Sequence, residues 1–378
     1  MKKGESIYER LGVQRIINAA GTYTVFGGSR MSEQTLSDIA EASRCFVKIP
    51  ELQLKAHERI AKLTKNEAAY IATCGAAALY ISGGAALARK YKKNVAYLSD
   101  EDIRSSEVIM FRAHRSPYDW ALLQLGVKIV DVGYPNVIGP ASREDLEGAI
   151  HENTCAIFYV AGGPGGWLAE GALDLGPTIE IANKYDLPVI VDAAAQLPPV
   201  DNLWNFTNAG ASAVIFSGGK DLRGPQASGL IVGKREFMHY VNEIGFPKYG
   251  IGRMLKVGRE EIVGLTSAVE QYVKLDHARR NAWTEGVVQT LKDRLSHLQG
   301  VTVSRSFPNE AGQPMPRAII THSTMEAELM ISLLMAGNPA IITMKAGEHA
   351  IFINPMTLEE DEVGQVVSRL REILSETF

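Results

Sequence analysis

Cysteine is scarce in this chain. Cys45, Cys74 and Cys155 are odd in number, widely spaced and outside any CxxC or His/Cys cluster, which argues against a disulfide framework and a zinc site and fits a reducing, cytoplasmic setting. No stretch approaches the roughly 18 apolar residues of a membrane span, and the opening MKKGESIYERLG turns polar after two lysines, so neither secretion nor membrane insertion is expected. Excess positive charge is missing as well: 39 Lys and Arg against 43 Asp and Glu leave a net charge of -4 and a pI near 6.1. Such a balance offers no field for nonspecific nucleic-acid binding. A Walker A motif, a GxGxxG with a trailing acidic residue, internal repeats and low-complexity tracts are also absent, which makes nucleotide binding the poorer use of the glycines.

What is present is ordinary enzyme composition. At 378 residues, 46% hydrophobic and 22% charged, the chain can bury a large core and form one big domain plus a smaller one. Between residues 66 and 235, short apolar runs rich in Val, Ile and Phe alternate with helix-length segments, as in buried parallel strands joined by crossover helices. The candidate strands are 69–72, 95–98, 108–111, 127–132, 155–160, 188–192, 213–216 and 230–232. From 259 to 298 the pattern becomes helical, with Ile262, Leu265, Val269, Tyr272 and Val273 on one face. Apolar runs near 301, at 318–320, 340–343 and 350–353, and a helix over 326–335, predict a small α/β domain. Thr357 with Glu360 three residues on reads as a capping box opening the last helix. The expected organisation is an N-terminal arm with helices over 1–65, a large domain over 66–258, a linking helix over 259–298 and a small C-terminal domain over 299–378.

The chemistry concentrates in AVIFSGGKDLRGPQASGLIVG, residues 213–233. A strand runs into Ser217, two glycines and Lys220, which places the lysine where open α/β sheets bind ligands. The glycines permit close backbone approach to a bulky group, and Ser217 can donate to a phosphate. Taken alone, Lys220 also reads as a solvated loop lysine. Upstream by 28 residues, VIVDAAAQ puts Asp192 at the end of another buried strand, either as a helix N-cap or as the carboxylate that keeps a pyridine nitrogen protonated. In YIATCGAAALYISGGAALAR, a strand passes through Gly75 and Ala76 into an alanine-rich helix, whose first N–H groups make an anion site. In MFRAHRSPYDWALLQLG, His114 is a candidate for stacking on that ring, and Arg115 for an anion or for plain surface charge. Carboxylate, serine and lysine in this order fit a pyridoxal 5'-phosphate (PLP) enzyme.

These residues resemble fold-type I PLP enzymes and, within them, the bacterial selenocysteine synthase (L-seryl-tRNA selenium transferase) family with its shorter relatives. The resemblance rests on RIINAAGT at 15–22, GGSRMS at 27–32, the turn at 73–78, LPVIVDAAA at 187–195, FSGGKDLRGPQASGLIVGK at 216–234 and GRMLKVGRE at 252–260. It implies a large, mostly parallel seven-stranded sheet domain with a smaller C-terminal α/β domain. It further implies Lys220 as the lysine that carries PLP, Asp192 on the ring nitrogen, and Gly75, Ala76 and Ser217 around the phosphate. Arg30, Arg253 and Lys256 match the anion-binding cations of the pocket. The family pattern has arginine where Lys256 stands, which keeps the charge and loses the bidentate fork.

Selenocysteine synthase carries an additional N-terminal tRNA-binding domain, whereas the matching core here begins within about fifteen residues of Met1, so seryl-tRNA is not the expected substrate. The shorter relatives look like D-glucosaminate-6-phosphate ammonia-lyases. The expected activity is therefore PLP-dependent elimination from a small anionic amino-acid or amino-sugar acid, giving a 2-keto-3-deoxy acid and ammonia. A selenocysteine synthase-like transfer, racemisation, transamination or a β-lyase step are the alternatives. The resemblance also implies a homodimer or higher homo-oligomer, without metal.

Overall fold

The structure, a computed structural model, describes residues 6–162 and 168–375. In chain order its strands are β1 (Ile16–Asn18), β2 (Ala68–Ala72), β3 (Glu107–Phe111), β4 (Lys128–Val132), β5 (Thr154–Val160), β6 (Val189–Asp192), β7 (Ala213–Ser217) and β8 (Gly229–Gly233), followed by β9 (Val301–Ser306), β10 (Arg317–His322), β11 (Ala340–Ile342), β12 (Met344–Gly347) and β13 (Ala350–Ile353). Seven of them form one sheet in the order β2-β8-β7-β6-β5-β3-β4. All run the same way except β8, which pairs antiparallel with both β2 and β7.

Alternation along the strands explains why both faces are covered. On β7, Val214 and Phe216 join one core with Ile71, Val191, Ile262 and Leu265. Ala213 and Ile215 point to the other face, with Ile81, Phe158, Ile190 and Phe237. Burial on both faces is what the apolar runs of the sequence encode. The run 95–98, expected as a strand, is instead a 3-10 turn over Val95–Tyr97, with the Asn94 side chain accepting the Ala96 N–H. Only Val95 of this turn is buried, and Tyr97 is exposed, so a local cap outweighed β propensity.

The chain divides into two compact units, 29–275 with 310–313, and 1–28 with 276–309 and 314–378. The expected boundaries therefore move. The single linking helix over 259–298 is two helices, Arg259–Lys274 and His277–Leu295. They are broken where Asp276 caps the second by accepting the Arg279 N–H. The first belongs to the large unit, as do the helices Glu33–Ser43 and Ile49–Leu63 that pack on it. Polar pairs fix that packing: Gln271 donates to the Thr35 hydroxyl at 2.9 Å, Ser267 to Asp38 at 2.5 Å, and Arg59 pairs with Glu270 at 2.5 Å.

In the second unit, β12-β13-β10-β9 form an antiparallel sheet and β1 pairs in parallel with β11. Its core holds Ile17, Leu291, Ile320, Met330, Ile351 and Leu370. The last helix begins at Glu360 rather than Thr357. The Thr357 hydroxyl donates to the Asn18 carbonyl at 2.7 Å, and Glu362 reaches back to the Glu359 N–H. Among the described residues no helix is long and apolar enough to cross a membrane.

Candidate active site

The register of the large sheet brings the motif residues to one edge. Ala72, Gly229 and Ser217 form a row across β2, β8 and β7, while Val160, Asp192 and Ile215 form another across β5, β6 and β7. The helix Gly75–Tyr91 starts directly over the first row: a Cβ on Gly229 would sit 2.6 Å from the Cys74 carbonyl. At that helix end the Cys74 sulfur accepts the Ala77 N–H at 3.3 Å. The N–H groups of Gly75 and Ala76 precede any possible intrahelical acceptor, and with the Ser217 hydroxyl they are candidate donors to an anion at this sheet edge. Gly229→Ala is expected to force strand and helix apart, at a cost of about 1–3 kcal/mol. Its urea midpoint should fall and phosphate-dependent PLP retention should weaken.

Lys220 lies in the connection from β7 to β8, and its backbone is held from several sides. The Ser29 hydroxyl donates to the carbonyls of Gly219 (3.0 Å) and Lys220 (2.6 Å), and Arg223 donates its N–H to the Lys220 carbonyl at 3.0 Å. Ser29 was missed as a positioning residue in the sequence, although it sits inside the quoted GGSRMS. Side chains at Gly218 and Gly219 would collide with Ser228 and Gln226, so these glycines make room for the returning chain.

Asp192 and Lys220 face each other electrostatically. Burial holds the Asp192 carboxyl well above the usual carboxylate range, opposed by the Ala194 N–H (3.0 Å to Oδ1) and by Lys220. Burial likewise pulls the Lys220 ammonium down, opposed by Asp192 and Glu310. Glu310 carried no signal in the sequence, because it lies far along the chain in the segment that joins β9 to β10.

His114 is buried. Its ring meets Tyr159 edge-on at 4.6 Å, and Nδ1 accepts the Val160 N–H at 3.2 Å. Burial pushes its pKa down to about 4, as it does for His57, which accepts the Ile71 N–H. Both stay neutral in the fold, whereas an unfolded histidine takes up a proton near pH 6.5. Stability is complete above that value and is lost as pH falls from 6.5 towards 4, by about 3 kcal/mol for each histidine. Urea midpoints at pH 7 and 4.5 should show the drop, and His57→Gln, which retains an acceptor, should remove about half of it and leave the part due to His114.

The cationic candidates are less gathered. Arg30 is exposed, with its carbonyl accepting Arg223 Nε at 2.8 Å beside the Lys220 loop. Arg253 is exposed, its guanidinium over the rings of Phe246 (5.4 Å) and Tyr249 (5.8 Å), and Lys256 is exposed on the same stretch. Arg115 is engaged with Asp119 (2.5 Å) and Asp131 (2.6 Å).

Residues 16–306 match the family model of L-seryl-tRNA selenium transferase. The chain belongs to this family. Within curated proteins, it is 32% identical to the D-glucosaminate-6-phosphate ammonia lyase of Salmonella typhimurium (strain 14028s / SGSC 2262), over 97% of this chain and 98% of that protein. It is 28% identical to the 5'-C-glycyluridine monooxygenase-decarboxylase of a Streptomyces species, over 97% and 92%. A solved structure of D-glucosaminate-6-phosphate ammonia-lyase superposes with a TM-score of 0.85 at 30% identity, covering 98% of both chains. The family member described here has the PLP fold-type I architecture, and its cofactor is PLP. The donor set fits that group: two helix N–H groups and a hydroxyl for the phosphate, an amine for the aldehyde, and a half-buried carboxyl, its pKa raised by desolvation, for a protonated ring nitrogen.

Proposed function

We propose that this chain is a PLP-dependent ammonia-lyase that removes water and then ammonia from D-glucosaminate 6-phosphate, leaving a 2-keto-3-deoxy acid. The observation that carries the reading is a half-buried lysine and a half-buried carboxyl whose charges act on each other, in the same sheet-edge region as an open helix N-terminus. The full-length similarity to the ammonia-lyase supports the substrate. Gly75, Ala76 and Ser217 hold the cofactor phosphate, and Asp192 keeps the proton on the ring nitrogen. When bound, PLP supplies an aldehyde for the substrate amine and a protonated ring that absorbs the electron pair left at Cα.

Lys220 is the base that takes the Cα proton. Burial favours its neutral form, which is the form that can accept one. Arg30, Arg253 and Lys256 bind the carboxylate and the distal phosphate of the substrate, as charge-assisted donors do. Because Arg253 and Lys256 are exposed on a stretch that also exposes Tyr249 and Met254, the working form in this reading is at least a homodimer.

Purified PLP-loaded protein given D-glucosaminate 6-phosphate is expected to release ammonia and a keto acid in equal amounts. Release of neither overturns the reading. Seryl-tRNA should give no gel shift, since the chain carries a net charge of -4; a shift would favour the transferase alternative.

A further inference from the structure

A buried hydrogen bond beside the lysine has no part in the lyase reading. Asp221 follows Lys220 in the chain and is 2% exposed, and Tyr272, on the helix Arg259–Lys274, is 4% exposed. The Tyr272 hydroxyl donates to Asp221 Oδ2 at 2.6 Å.

The same helix lies against the lysine connection on either side of this bond. A Cβ on Gly218 would meet Leu265 Cδ1 at 2.8 Å, one on Gly224 would meet the Ala268 Cβ at 3.3 Å, and one on Gly264 would meet Pro225 Cγ at 2.6 Å. Apolar contacts of this kind set how closely helix and connection approach, but they are not directional. A hydrogen bond is. The Lys220 carbonyl is held in turn by the Ser29 hydroxyl (2.6 Å) and the Arg223 N–H (3.0 Å). Because the peptide that joins Lys220 to Asp221 is planar, a carbonyl fixed on it and a side chain fixed just after it restrict the rotation of that plane, which carries the Cα of Lys220.

Resting on the reading in which Lys220 carries PLP, we propose that Tyr272 and Asp221 are positioning residues for Lys220, their hydrogen bond setting the orientation from which Nζ reaches the cofactor aldehyde. Both act through the lysine backbone. The step they prepare balances without a further reactant. The neutral amine adds to the aldehyde carbon, the new C–N bond becomes C=N, and the carbonyl oxygen leaves with the two amine protons as water. A displacement of about 1 Å can lower a rate by roughly 10²-fold, so losing one tie at a site still held by Ser29 and Arg223 should slow this step about tenfold.

The test strips PLP from the full-length chain and reloads it, comparing wild type with Tyr272→Phe, Asp221→Ala and the double variant. Two quantities are read without substrate. One is the rate at which the visible band of lysine-bound cofactor appears at saturating PLP. The other is the Kd of 4-deoxypyridoxine 5'-phosphate, which has the ring and phosphate but no aldehyde. Y272F keeps its ring in the core and should slow the band about tenfold, with the Kd within about twofold of wild type. The double variant should be no slower than the single ones, as for two residues that act as a unit.

An unchanged rate in Y272F overturns the proposal. So does additive slowing in the double variant, or a Kd that weakens as much as the rate falls, which general loosening of the core would produce. Should Asp221→Ala fail to fold, Y272F decides alone. Absence of the band in wild type would remove Lys220 as the PLP lysine and this role with it, whereas a band that Y272F forms as fast removes only the role of the pair. The outcome does not depend on whether the chain releases ammonia from D-glucosaminate 6-phosphate.

Discussion

Lys220→Ala is expected to yield a folded protein that loses PLP on gel filtration, shows no visible band from lysine-tethered cofactor and releases no measurable ammonia. The loss of the base alone removes roughly 10²–10⁴-fold in rate, and the loss of the covalent anchor adds to it. Because the side chain stands in a connection fixed by backbone hydrogen bonds from Ser29 and Arg223, truncation leaves the surrounding turn intact. Added methylamine should restore part of the turnover by occupying the vacated space. A variant that keeps the wild-type spectrum would remove Lys220 from the chemistry.

Asp192→Asn is expected to have the second-largest effect. Asparagine still accepts the Ala194 N–H through its amide oxygen, so the turn after β6 survives while the charge disappears. Loss of one preorganised electrostatic stabiliser lowers turnover by roughly 10²–10³-fold. The measurement is kcat for ammonia release at saturating PLP, with Asp192→Glu as the charge-retaining control. Wild-type turnover in the asparagine variant would assign the carboxylate to capping alone.

How much of this was legible in the sequence differs by feature, for physical reasons. Seven strands of the large sheet were readable, because a strand buried on both faces must be apolar at nearly every position, as Ala213 to Phe216 are. The eighth candidate failed because a four-residue apolar run carries no periodicity, and one Asn94 cap was enough to turn it. The places of Asp192 and Ser217 at strand ends, of Gly75 at a helix start and of Lys220 in the connection after β7 were readable, because order along the chain maps onto position at the sheet edge. The docking of residues 310–313 onto the large unit was not, since it depends on two long-range hydrogen bonds from Gln196 and Gln313. The glycines of 218–219 were noticed, but that Ser228 and Gln226 need their space depends on how the chain folds back, which composition does not show.

The reversal of β8 bears on how such a protein diversifies. Since β7 and β8 are neighbours that pair from Ser217↔Gly229 onward, the lysine rides on a closed hairpin whose two stems are both interior to the sheet. Insertions or deletions there would have to shift the register of a strand buried at every position, so this part of the machinery has little room to drift. Novelty in what is accepted must be found elsewhere, on the exposed stretches that present Arg30, Arg253 and Lys256, where substitutions leave the sheet undisturbed. Proteins with quite different reactions can then keep one anchor and exchange only the surfaces around it.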